Sequence, residues 1–145
     1  MREPHVRGSR PSDIYVIMDQ GLREQDRKEL DAMGVNAEET LRHGLKNSDE
    51  CLTVVVDSVP VAMFGVVRHT DISGIVWFLG TDGLFNISRQ FLRESKHWLN
   101  HISKGYLLVG NIVHVENTIS IRWLQWLGFT LLARQGDFIE FARIN

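Results

Sequence analysis

Between residues 51 and 79 the chain carries three apolar runs in close succession: 51–56 (CLTVVV), 61–67 (VAMFGVV) and 75–79 (IVWFL). β-Branched and aromatic residues dominate them, and polar stretches containing Asp57 to Pro60 and Asp71 to Gly74 separate them, so they read as consecutive strands. Helical patterns lie on both sides of this three-strand meander. A meander enclosed by helices in one chain points to a mixed sheet packed between helices.

The flanking segments follow from periodicity and caps. Residues 1–12, with Pro4, Gly8, Pro11 and three arginines, read as a flexible polar lead-in. Residues 13–18 (DIYVIM) read as the first strand. Leu22, Leu30 and Met33 share a helix face with Gly34 as its C-cap, and Asn36 with Glu39 forms a capping box for a second helix carrying Leu41 and Leu45. After Gly80–Gly83 the best helical pattern spans about residues 87–103, with Ile87, Phe91, Trp98 and Ile102 on one stripe, Leu92 and Leu99 beside it, and Asn86 as its cap. A strand over 106–113 contains Gly110, taken as a kink or bulge; a helix over 118–127 stops at Gly128. Runs 129–133 and 138–142 close as a hairpin. The predicted order is β-α-α-β-β-β-α-β-α-β-β, about seven strands and four helices, as a single domain over 13–145.

Composition supports one domain and narrows its partners. The chain has 145 residues, 43% hydrophobic and 23% charged, with 16 basic and 18 acidic side chains for a net charge of −2. This is an ordinary globular balance, without the basic excess of a nucleic-acid binder. No apolar run approaches the roughly 20 residues needed to cross a bilayer, so neither nucleic acid nor membrane is an expected partner. The single cysteine, Cys51, rules out an internal disulfide and a multi-cysteine zinc site. His97 and His101 are spaced i, i+4 without a third ligand and read as a solvated face, so no metal is expected.

The element order, together with residues 117–129 (NTISIRWLQWLGF), resembles the GNAT superfamily of acetyl-CoA-dependent N-acetyltransferases. There a strand, an Asn and a helix ending in an aliphatic-Gly-Phe turn follow one another, and Val113, Asn117, Leu127, Gly128 and Phe129 match that pattern. More narrowly, FLGTDGL, FLRESKHWLNHI and NTISIRWLQWLGF, within residues 50–134, are similar to tailed-phage proteins described either as internal virion (core) proteins or as acetyltransferases. The resemblance implies an α/β (α+β) fold with a GNAT-like, mixed and mostly antiparallel sheet. It implies a phage-encoded N-acetyltransferase acting on an amine of a protein or small molecule. The alternative is a non-catalytic internal virion or morphogenesis protein that retains the fold. A host or virion protein is the implied partner, with the host cytoplasm or the particle as location. A homodimer through the final hairpin is a further expectation, since exposed edge strands need covering.

The same resemblance assigns roles to residues. Acetyl-CoA is the implied cofactor. Gly80, Thr81, Asp82 and Gly83 stand where the superfamily binds pyrophosphate at a helix N-terminus. The usual Gln/Arg-x-x-Gly-x-Gly/Ala signature is missing, and Asp82 carries the wrong charge for a phosphate. A backbone N–H near Phe78 or Leu79 would polarise the thioester carbonyl, and Asn117 would bond cofactor amides or simply cap its helix. His114 and Glu116 are the titratable groups for proton transfer, with Ser120 as a nearby hydroxyl. Leu124 occupies the position where the superfamily often has a proton-donating Tyr.

Overall fold

A computed structural model of the chain describes residues 4–86 and 89–145, and the side chains of residues 85–91 lie outside what it describes. The expected cap at Asn86 and the stripe positions Ile87 and Phe91 therefore fall outside the described side chains. Seven strands and five α-helices are present among the described residues. The strands form one sheet in the order β1-β2-β3-β4-β5-β7-β6.

The N-terminus departs from the expectation drawn from sequence. Residues 13–18 are not a strand: they lie in α1 (Pro11–Gln20), and the strand role falls to β1 (His5–Gly8), inside the supposed lead-in. β1 pairs antiparallel with β2 (Ser48–Val56), so the domain begins well before residue 13. The helix wins because Pro11 sits at its first position and Asp13 accepts the Arg10 N–H at 2.9 Å. Ile14 and Ile17, one turn apart, are fully buried while Tyr15 and Val16 face solvent, a helical period hidden in a β-branched run.

Asp13 also ties three elements together. It takes a bidentate pair from Arg7 of β1 at 2.8 and 2.9 Å and a hydrogen bond from Thr53 of β2 at 2.8 Å. Burial alone would raise its carboxyl. The bonds from Arg7, the Arg10 N–H and Thr53 together outweigh that and hold it below its ordinary value.

The other elements follow the expected pattern. α2 (Glu24–Met33) ends at Gly34 in the left-handed region at φ 73°. α3 (Ala37–Asn47) starts at Asn36, whose side chain accepts the Glu39 N–H at 3.0 Å. β2 turns into β3 (Val59–Arg68) through Asp57 and Ser58, both at positive φ, the conformation that a two-residue hairpin loop needs. β4 (Ser73–Gly80) completes the meander, and a 3-10 turn over Asp82–Asn86 leads to α4 (Arg89–Ile102). β5 (Leu108–His114), α5 (Thr118–Trp126), β6 (Thr130–Gln135) and β7 (Phe138–Ile144) finish the chain.

Side chains alternate across the sheet and build a core on each face. Met63, Trp77 and Leu79 point toward α1–α3, where Ile14, Ile17, Leu30 and Leu41 are buried. Phe64, Val66, Val76 and Phe78 point toward α4 and α5, with Leu99, Ile102 and Leu127. No described helix is long and apolar enough to cross a membrane, and no described group of His, Cys, Asp or Glu is arranged to hold a metal.

Candidate active site in the β4–β5 cleft

The site is created where the one parallel pair of the sheet comes apart. β4 and β5 pair only at Ser73–Leu108, Gly74–Val109 and Ile75–Gly110. Gly110 is not a bulge: it stays in register with Ile75 and Ala142, and a Cβ there would sit 2.3 Å from the Phe141 carbonyl oxygen. Glycine serves close approach of β5 to β7. The separation begins one residue later, at Asn111. Its side-chain Nδ2 donates to the Val76 carbonyl at 2.8 Å, and its Oδ1 accepts the Ile112 N–H at 2.8 Å. Those are the backbone groups that the next rung of a parallel ladder would join, so the Asn111 amide stands between the strands as a wedge.

Beyond the wedge, backbone groups facing the gap are taken over one by one. The Ile72 carbonyl accepts from the Leu108 N–H and the Val76 carbonyl from Asn111, which places residues 72, 74, 76, 78 and 80 of this strand toward β5. The Gly80 N–H donates to Asp26 at 2.9 Å and its carbonyl accepts the Arg23 N–H at 2.8 Å. On the other wall, the His114 N–H donates to Glu29 at 3.0 Å. Phe78 is different: no described residue bonds its N–H or its carbonyl. Of the two donors expected from sequence, the alternation gives the gap to Phe78, whereas Leu79 turns its N–H toward β3.

The cleft around Phe78 encloses about 540 Å³ and opens between α4 and α5 on one face and α2 on the other. Its walls are largely apolar. Trp123 meets Phe78 edge-on at 5.2 Å between ring centres and reaches Ser95 through a 3.4 Å hydrogen bond. Trp126, three residues on, is half exposed beneath the Lys96 ammonium instead. Leu124 lines the cleft, as does Ser120. The Arg23 guanidinium lies over the Phe78 ring at 5.6 Å and pairs with Asp26 at 2.9 Å. Burial raises the Asp26 carboxyl, outweighing the Arg23 charge and the Gly80 hydrogen bond that pull it down.

The loop after β4 is organised differently from the sequence expectation. The Thr81 N–H donates to the Val61 carbonyl at 2.8 Å, and Gly83 N–H donates to Thr81 Oγ1 at 3.2 Å. With Gly80 N–H bound by Asp26, three donors assigned to a pyrophosphate are spent inside the fold. Thr81 is itself buried, while Asp82 is exposed. A Cβ at Gly83 would lie 2.6 Å from Val61 Cγ1, so this glycine is needed for packing on β3.

Asn117 is buried and bonded at both ends of its amide: Oδ1 accepts the Ser120 N–H at 3.2 Å as the cap of α5, and Nδ2 donates to Glu29 at 2.9 Å. His114 Nδ1 accepts the Glu116 N–H at 3.1 Å, and its ring packs edge-on to Phe138 at 5.4 Å. His114, Glu116 and Asn117 border a second, smaller hollow of about 330 Å³ that adjoins the cleft at Glu29 and Ile119. Ser120 is thus separated from the other two proposed catalytic residues. Glu29 and Asn111 are the site residues that sequence reasoning missed. A lone Asn inside an apolar strand was a readable signal; Glu29 is one acid among many in a charged helix.

No protein-family model matches this chain, and no curated protein matches it. Solved structures do. The chain is similar to Ard1 from Thermoplasma volcanium, with 16% identity, a TM-score of 0.74, and 97% of each chain covered. It is similar to the PaiA N-acetyltransferase from Thermoplasma acidophilum, solved with coenzyme A, at 13% identity and TM-score 0.67 over 99% of each chain. It is also similar to a GNAT-family acetyltransferase from Bacillus anthracis, at 14% identity and TM-score 0.69 over 99% of this chain and 96% of that one. This protein therefore has the GNAT acetyltransferase fold: a seven-stranded, mostly antiparallel sheet between helices, opened between β4 and β5.

Proposed function

We propose that this protein is an N-acetyltransferase that takes acetyl-CoA as donor and an amine of a protein or small molecule as acceptor. The observation that carries this reading is Phe78, whose N–H and carbonyl face an apolar cleft and are bonded by no described residue, while their neighbours are capped. An open donor and acceptor on one strand residue suit the amide-bearing arm of the cofactor, and the N–H suits a carbonyl oxygen gaining charge. Val76, Phe78, Ser95, Trp98 and Leu124 would hold that arm; the coenzyme A complex of the PaiA structure supports the same choice of cofactor. Acetyl-CoA would supply the activated acyl group, and the chain would supply orientation, exclusion of water and a donor for the carbonyl. Its pyrophosphate would need donors other than Gly80, Thr81 and Gly83.

Those spent donors, with Asp82 and Leu124, favour a second reading: a non-catalytic internal virion or morphogenesis protein of a tailed phage that keeps the fold. On either reading the sequence resemblance supports a phage origin, a host or virion protein as partner, and the host cytoplasm or the particle as location. The exposed outer strand β6 supports a homodimer. Calorimetric titration with acetyl-CoA and with CoA separates the two readings. Saturable heat, with release of free thiol when an amine is added, supports the enzyme. No heat at millimolar ligand leaves the non-catalytic reading.

A further inference from the structure

Resting on the acyltransferase reading, we propose that Glu29 is the catalytic base that removes the proton from the acceptor amine, entering from the hollow beside α2. The residues expected from sequence are poorly placed for that task. His114 Nδ1 is already an acceptor for the Glu116 N–H, Glu116 is exposed, and Ser120 is a hydroxyl. Glu29 instead projects from α2 onto the β5 wall of the gap. One oxygen, Oε1, accepts both the His114 N–H at 3.0 Å and Asn117 Nδ2 at 2.9 Å. Two donors on one oxygen fix the carboxylate, and no described residue bonds Oε2.

Strand register puts this carboxylate at the level of Phe78. Ile75 faces Gly110 at the last paired rung. Carried three residues further along both strands, Phe78 would face Val113, and one residue beyond that Leu79 would face His114. Because the strands have parted, that space has the open Phe78 N–H on one wall and Glu29 on the other. Glu29 also borders both openings, the 540 Å³ cleft and the 330 Å³ hollow. Donor and acceptor thus have separate ways in and meet beside one proton acceptor.

The step balances with an acyl thioester of coenzyme A as co-reactant. Glu29 Oε2 takes one proton from the acceptor ammonium, and the nitrogen lone pair forms the C–N bond to the acyl carbon. The C–S bond breaks with its electron pair on sulfur, and sulfur gains the second nitrogen proton. Glu29 returns its proton to water. An ammonium and a thioester become an amide, a thiol and one released proton.

The test compares wild type with Glu29→Gln, which keeps an oxygen for His114 and Asn117 but cannot take a proton. The probes are acetyl-CoA and a synthetic peptide bearing a free N-terminal amine and one lysine. We expect acetyl-CoA affinity to hold within about twofold while kcat falls about 100-fold or more, with KM for the peptide little changed. Turnover by Glu29→Gln near the wild-type rate, or no acetylation of either amine by the wild type, overturns the proposal. No acetyl-CoA heat from the wild type overturns the acyltransferase reading itself. Wild-type binding with full activity in Glu29→Gln overturns only the assignment of Glu29.

Discussion

The Asn111 side-chain amide donates to the Val76 carbonyl at 2.8 Å, across the point where two parallel strands stop pairing. The same side chain caps the Ile112 N–H, so both backbone groups orphaned by the separation are satisfied by one residue. The cleft thus persists without a buried unpaired group at its apex, where such a group would be costly. Asn is suited to this because its side chain carries both a donor and an acceptor.

Asn111→Leu keeps the branching of the side chain and removes both bonds. We expect a loss of about 1–3 kcal/mol in urea unfolding, as the Val76 carbonyl and Ile112 N–H lose their partner. Unchanged stability would mean that the strands zip directly, which amide hydrogen exchange at Ile112 would reveal as new protection.

Gly83→Ala tests whether the loop after β4 is a packing element. Its new Cβ would meet Val61 Cγ1 at 2.6 Å. Overpacking of this kind costs about 1–3 kcal/mol, so the melting temperature should fall in the absence of any ligand. A neutral result would mean that Val61 yields to the added methyl and that packing does not require glycine there.

The Arg7–Asp13 pair should be visible in acid unfolding. Asp13 is held below its ordinary value in the folded state, so the native chain binds fewer protons than the unfolded chain as pH falls. Its contribution is full above the unfolded carboxyl value of about 4 and is lost as pH falls through the lower folded value. Asp13→Ala should cost about 3 kcal/mol near neutrality, because it strands a partly buried Arg7. The gap between wild type and variant should then narrow below pH about 4 in thermal melts.

Tyr106 gives an optical check on the opposite end of β5. Burial first, and then the hydrogen bond to Asp49, push its phenol up to about 12. Ultraviolet titration should show one late ionisation that Tyr106→Phe removes. Asp49→Asn should bring that step down without returning it to the ordinary value of about 10, since burial remains.

Local signals in the chain determined most elements of this fold. The meander, the Asn36 cap, the Gly34 stop and the final hairpin depend on neighbours along the sequence, and each is found where the pattern puts it. Residues 13–18 misled because β-branched content outweighed a cap signal already present in Pro11 and Asp13. Only tertiary structure decided the site. Which strand residue keeps an open N–H depends on where β4 and β5 part, and that is set by an amide reaching across 35 positions in sequence to Val76. Glu29 and His114 stand 85 positions apart. Periodicity and capping act over one or two turns of chain, whereas groups that meet across a cleft are brought together by packing alone.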